Sequence, residues 1–167
     1  VQREFYVNDA GTQVTFFNDS LYARYAQALG RTDEQVPEQG YHGDYMVEMG
    51  QLLAREAGER YLHVPRPEAL PRVGDWGTQK VLESYAQDLA LIGVRFDNWF
   101  SERTLYSSGL FDKVVAMLNE RGYATERDGA IWFTSSNLGE DKDNVILRSG
   151  GRGATYFASD IAYHYNK

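Results

Sequence analysis

Cysteine is absent from the 167 residues. That removes disulfides, Cys-based zinc sites and a thiol nucleophile from consideration, and it fits a reducing compartment. Basic residues are outnumbered: 17 Lys and Arg stand against 24 Asp and Glu, for a net charge of −7 and a pI of about 5.0. An autonomous nucleic-acid module usually presents a basic face, so this composition argues against one. No apolar run approaches the roughly 20 residues that cross a bilayer. No basic segment leads into an apolar one, so no signal peptide is expected. Internal repeats and low-complexity segments are missing too. Proline occurs four times, and three of the four crowd into "PRPEALP" at 65–71.

What remains is a globular composition, 43% hydrophobic and 25% charged, long enough for a real core. "EFYV" (4–7) reads as a buried strand and "NDAG" after it as turn chemistry. "SLYARYAQALG" (20–30) predicts a short helix capped by Ser20 and closed by Gly30. "DYMVEMGQLLAREAG" (44–58) predicts a helix with Tyr45, Met49, Leu52 and Leu53 on one face. The proline-rich stretch 64–77 reads as an irregular connection. The clearest helix is expected over 78–93, where Val81, Leu82, Tyr85, Leu89 and Ile92 form an apolar stripe.

An extended segment follows at 94–100. Another helix is expected over 108–122, capped by Ser108, with Leu110, Phe111, Val114, Val115 and Leu118 inward. Then the pattern changes. Asp128-Gly129 between "YATER" and "AIWFT" signals a hairpin with a primed turn. "NVILRS" (144–149) predicts a strand, "SGGRG" (149–153) a flexible hairpin turn, "GATYF" a short strand, and 157 onward a helix. The order is a strand, helices, then a small antiparallel sheet, which is mixed α/β and not a repeating βαβ series.

Few residues suggest chemistry. His42, His63 and His164 share no ligand spacing, and Glu140, Asp141 and Asp143 lack the EF-hand pattern, so no metal site is expected. No G-x-S-x-G elbow or phosphate loop occurs. One pair stands out. Tyr156 and Asp160 are four apart in a helical segment and share a face. A carboxylate beside a phenol suits a cation, above all a planar guanidinium. The plainer reading stays open: an Asp near a helix N-terminus favours the dipole, and a Tyr packs.

Four stretches, in this order, carry a resemblance: "REFYVNDAGTQ", "GYHGDY", "FDNWFSE" and "DGAIWFTSSNLGEDKDNVILRSGGRGATYFASDIAYHYNK". Together they resemble the bacterial arginyl-tRNA synthetases, which are class I aminoacyl-tRNA synthetases, over essentially the whole chain. The resemblance implies an α/β piece of a Rossmann-type catalytic domain carrying an inserted α+β subdomain with a small antiparallel sheet. It implies residues 1–19 as a Rossmann strand and its loop, 20–155 as the insertion, and 156–167 as the start of the second catalytic half. The family's ATP motifs, of the HIGH and KMSK types, do not occur in these residues. An interior fragment, inactive by itself, is therefore expected.

The family's "TYxxxD" segment matches here at Tyr156 and Asp160. The resemblance implies that Asp160 pairs with the arginine guanidinium and that Tyr156 lines the pocket near the terminal adenosine of tRNA. Asn8, Asp9 and Gln13 are cleft candidates, although a strand-ending turn explains Asn-Asp-x-Gly equally well. Trp99 and Phe100 read as packing residues. For the whole enzyme the implied partners are L-arginine, ATP with Mg2+, and tRNA(Arg), in the cytoplasm and without a membrane. The chain itself is expected to bind no cofactor and to self-associate through exposed edges. The alternatives are a non-catalytic interaction domain that kept the fold, or an unrelated acidic α/β binding protein.

Overall fold

The computed structural model describes residues 1–148 and 154–167; the turn expected at 149–153 lies outside the described residues. The chain divides into two compact units, Val1–Arg3 with Asp9–Asp97, and Glu4–Asn8 with Asn98–Lys167. This is a division by compactness. The boundaries at 19/20 and 155/156 implied by the resemblance are of another kind.

The first unit is helical: α1 (Thr12–Ala28), α2 (Asp44–Ala57) and α3 (Arg66–Leu91). Its core joins Leu21, Tyr22, Tyr25, Met46, Leu53, Ala69 and Val73. Burying each large apolar side chain stabilises the fold by about 1.5–3 kcal/mol. Helix α1 starts eight residues before Ser20, the expected cap. Ser20 lies mid-helix and fully buried. Its hydroxyl donates to the Phe16 carbonyl one turn back, at 2.6 Å, and accepts the Tyr41 N–H at 2.9 Å. A serine can satisfy itself inside a helix in this way, so capping chemistry is an ambiguous signal.

Helix α2 has the expected span, but its inner face is Met46, Gly50 and Leu53, and Tyr45 is exposed. Gly50 explains the rotation. A Cβ there would come within 2.6 Å of the Arg24 carbonyl carbon, so the two helices touch at a site only glycine fits.

The proline-rich stretch is helical, contrary to the expected irregular connection. Pro65 and Pro67 stand at the N-terminus of α3, where N–H groups lack intrahelical partners. Pro71 forfeits one bond without stopping the helix. The residues that α3 buries all lie in its first half: Ala69, Val73, Gly74 and Gly77. The expected stripe further along is not core. Tyr85 is 47% and Ile92 74% exposed, with Val81, Leu82 and Leu89 half-buried. At 26 residues, α3 outruns α1 and α2, which have 17 and 14.

The second unit contains a parallel pair, β1 (Glu4–Val7) and β2 (Asn98–Ser101), in register Tyr6 opposite Phe100. Parallel neighbours require a long connection, and residues 8–97 supply it in sequence. Strand β2 begins at Asn98 and not at 94. A short helix α4 (Arg103–Ser107), not expected, precedes α5 (Leu110–Glu120). Helix α5 buries Phe111, Val114 and Leu118 as its apolar spacing predicts, although Gly109 and not Ser108 stands at its N-cap.

Strands β3 (Ala124–Arg127), β4 (Ala130–Phe133) and β5 (Asn144–Leu147) form an antiparallel sheet in the order β3-β4-β5. The predicted primed turn is present, with φ of 52° at Asp128 and 71° at Gly129. In place of a strand through "GATYF", Ala154 makes one bridge to Leu147. Helix α6 (Tyr156–Asn166) then starts from Thr155, whose Oγ1 accepts the Ala158 N–H at 3.4 Å. Leu105, Phe111, Val114, Leu118, Ala124, Ile146, Ala158 and Ala162 form this unit's core. The fold is thus mixed α/β with one parallel pair and a small antiparallel sheet. No helix among the described residues is long and apolar enough to cross a membrane.

Candidate functional site

Helix α6 is positioned by its small residues. Ala158, Ser159 and Ala162 are buried, and Tyr163, one turn on from Ser159, packs on the parallel pair. The Tyr163 ring lies 4.7 Å from that of Tyr6, edge to face, and 4.9 Å from that of Phe100. The Tyr163 hydroxyl donates to the Glu4 carboxylate. Lys167 reaches the same carboxylate at 3.0 Å, and the Asn98 side-chain amide donates to its other oxygen. These bonds hold the Glu4 carboxyl below its ordinary range, Tyr163 contributing most. Closer to the N-terminus of α6, the Tyr106 and Ser159 hydroxyls are hydrogen-bonded at 2.7 Å.

Tyr156 and Asp160 stand one helical turn apart on α6, both exposed, Tyr156 at 75%. By helical spacing they lie along the edge of the buried face next to Ser159 and Tyr163. Ser159 touches Tyr106 of α4, and Tyr163 touches Tyr6 of β1. Asp160 therefore borders the side of α6 on which β1, β2 and α4 stand.

That side holds a residue the sequence reading passed over. Glu102 follows β2 and is 4% exposed. Its backbone N–H donates to the Val7 carbonyl at 3.0 Å, extending the parallel ladder. Glu102 stands just past the end of β2, with helical backbone angles at the start of α4. Burial pushes the Tyr106 phenol up, and the Glu102 charge pushes it further. The Tyr6 phenol is pushed up more strongly, first by burial, then by the charges of Glu102 and Asp160. Two carboxylates thus act on one phenol from different elements. The one signal in the sequence was position: Glu102 closes "FDNWFSE", two residues beyond an inward aromatic.

The other candidates are dispersed. Asn8 follows β1 in the sheet unit and is exposed, whereas Asp9 and Gln13 belong to the helical unit. The Gln13 side-chain carbonyl accepts the Tyr41 hydroxyl at 3.2 Å. Among the described residues no group of three or more His, Asp or Glu could hold a metal ion.

Chemically, an exposed carboxylate at Asp160 beside the Tyr156 ring suits a cation, and a planar one with several donors fits it best. Comparison with known proteins bears on which class of protein this is. No family model matches the chain. A solved structure described as an arginyl-tRNA synthetase from Campylobacter jejuni superimposes with a TM-score of 0.84 at 33% identity, over 99% of this chain and 35% of that one. The class it represents is the aminoacyl-tRNA synthetases.

Within that class the relatives are of one kind. The arginine–tRNA ligase of Dehalococcoides mccartyi strain BAV1 is 49% identical over all 167 residues. That of Carboxydothermus hydrogenoformans is 46% identical over the same span. The chain is therefore homologous, from its first residue to its last, to a segment of the arginine–tRNA ligases. It spans about 30% of the length of these curated relatives.

Proposed function

We propose that this chain supplies the part of an arginine–tRNA ligase that recognises the amino-acid side chain. The observation that carries the reading is the exposed pair Tyr156 and Asp160, one turn apart on α6. Asp160 offers the exposed carboxylate that pairs with the guanidinium fork, and the buried Glu102 adds negative charge on the same side. Tyr156, exposed one turn before Asp160, offers a ring on which the ligand stacks. Asn8, two residues beyond Tyr6, borders the same cleft. The parallel pair and α6 belong, on this reading, to a Rossmann-type catalytic domain interrupted between β1 and β2. The parallel register and the long connection support it.

The whole ligase would join L-arginine to tRNA(Arg) with ATP and Mg2+ in the cytoplasm. Neither a HIGH-type nor a KMSK-type motif occurs in these residues, and no metal-holding cluster forms among the described ones. The chemistry assigned to this chain is recognition alone, and we expect no ATP–pyrophosphate exchange from it.

Isothermal titration of the chain with L-arginine and with L-lysine tests the reading. Arginine binds, lysine binds far more weakly because an ammonium cannot fill a forked site, and Asp160→Ala removes arginine binding. Equal binding of arginine by wild type and Asp160→Ala would show that Asp160 is not the anchor.

A further inference from the structure

The side chains that α6 buries are small: Ala158, Ser159 and Ala162. Small residues let a helix approach closely, but they raise low ridges and so key its slide and rotation poorly. Two polar ties supply what the packing lacks, and Asp160 lies between them. One is the 2.7 Å bond between the Tyr106 and Ser159 hydroxyls, one residue before Asp160. The other is at Tyr163, three residues after it, whose hydroxyl donates to the Glu4 carboxylate of β1.

Glu4 is half-buried at the first residue of β1, and its two oxygens face different elements. Oε1 accepts from the Tyr163 hydroxyl and lies 3.0 Å from the Lys167 ammonium, one turn further along α6. Oε2 accepts from the Asn98 side-chain amide of β2. A single carboxylate therefore joins both strands of the parallel pair to the helix. The ring contacts of Tyr163 with Tyr6 and Phe100 do not need this oxygen, since phenylalanine would make them too. Hydrogen bonds weaken steeply with misalignment, so the hydroxyl adds an angular constraint to those contacts.

A helix rises about 1.5 Å per residue, which puts Asp160 within about 5 Å of each tie along the axis. A recognition site works when its groups are held to about 0.5 Å and 10–20°. We infer that Glu4 is a positioning residue of the arginine site, fixing the slide and rotation of α6 through Tyr163 and so the point at which Asp160 meets a guanidinium. This rests on the reading of Asp160 given above. Glu4 touches no ligand itself; its effect reaches the site through the helix. The consequence is selectivity for length. A carboxylate held at one reach favours one side-chain length, and a loosened one accepts several.

The test is a set of titrations of the chain with L-arginine and with L-homoarginine, which carries the same guanidinium on a side chain one methylene longer. Wild type, Glu4→Gln, Tyr163→Phe and Asp160→Ala are compared below their recorded thermal midpoints. Glutamine has one acceptor oxygen and no charge, so it cannot hold α6 and Asn98 together. Phenylalanine keeps the Tyr163 ring and removes only the hydroxyl; if Glu4→Gln does not fold, Tyr163→Phe decides alone. Each variant should bind arginine on the order of tenfold more weakly, given that a full ångström of misplacement costs about a hundredfold. Homoarginine binding should fall less, so the ratio between the two ligands drops. A merely structural role lowers the midpoint and leaves the ratio unmoved. An unchanged ratio, or a wild type that does not distinguish the two ligands, while Asp160→Ala has lost arginine, overturns the inference on Glu4 and leaves the reading of Asp160 standing. If Asp160→Ala binds as wild type does, or wild type binds no arginine, the reading itself fails and takes the inference with it.

Discussion

Ser20 and Ser159 are both buried serines on helices, and the two units use them differently. Ser20 links backbone to backbone, from the Phe16 carbonyl to the Tyr41 N–H. Ser159 also reaches back to a carbonyl, that of Thr155 at 3.5 Å, but its other partner is the Tyr106 hydroxyl, and its neighbour on α6 is Asp160. The contrast extends to charge. In the helical unit the Arg66 guanidinium meets Asp19 at 3.0 Å and also pairs with Glu34, while lying 4.8 Å over the Tyr22 ring. That is a guanidinium with two carboxylates and an aromatic face, completed by the chain itself. The sheet unit assembles two carboxylates and several tyrosines around Tyr6, and on the proposed reading the guanidinium that answers them is the ligand's. One unit uses this chemistry to hold its fold, and on the proposed reading the other presents it for recognition.

The sharpest way to break this comparison is to remove charge from the sheet unit. Glu102→Gln keeps shape but takes away the buried carboxylate. We expect loss of arginine binding on the order of 2–5 kcal/mol, the range for a desolvated charge pair, read by calorimetry. Retained affinity would return Glu102 to a structural role.

Next in size is a change confined to the helical unit. Gly50→Ala drives a Cβ against the Arg24 backbone. Overpacking of this kind costs about 1–3 kcal/mol, seen as a lower denaturant midpoint by circular dichroism. Arginine affinity in the absence of denaturant should not change. A parallel loss of affinity would mean that the units are not separable in this way.

Smaller still is Tyr106→Phe, which deletes the 2.7 Å bond to Ser159. A stability loss of about 1 kcal/mol is expected, measured by chemical denaturation.

Acid should also separate the units. The Glu4 carboxyl lies below its ordinary 4.5, chiefly through Tyr163, and the Asp143 carboxyl below its ordinary 3.8, chiefly through Ser136. A depressed carboxyl stabilises the fold above its unfolded value, and that contribution is lost as pH falls through the folded one. Both groups tie elements of the sheet unit together: Glu4 joins β1 to α6, and Asp143 meets Arg127 of β3 at 2.8 Å. The depressed Asp33 of the helical unit pairs only with Arg31, two residues away. Below about pH 4.5 the sheet unit should loosen first. In a Trp76→Phe chain only Trp99 and Trp132 report, both from the sheet unit. Their fluorescence should change at a higher pH than the larger part of the helical circular dichroism signal, which comes from α1, α2 and α3.

Legibility in the sequence was uneven for physical reasons. Local signals survived: the apolar spacing of α5, the primed turn at Asp128-Gly129, and the shared face of Tyr156 and Asp160. Signals with two meanings misled. Ser20 reads as a cap but bonds back into its own helix, and three prolines suggest a break where two of them sit at a helix start. The stripe on α3 has helical periodicity, but periodicity does not say whether neighbouring helices are long enough to cover it. Glu102 and Tyr6 were hidden for a different reason. One follows an aromatic run and the other lies inside one, and only the parallel pairing of strands some 94 residues apart brings their segments together.

The account turns on whether this face recognises a guanidinium as such. L-citrulline is close in shape to L-arginine but neutral, so titrating the chain with both under identical conditions isolates that question. The account predicts heat and saturation with arginine and none with citrulline at the same concentrations. Equal affinity for the two would contradict it.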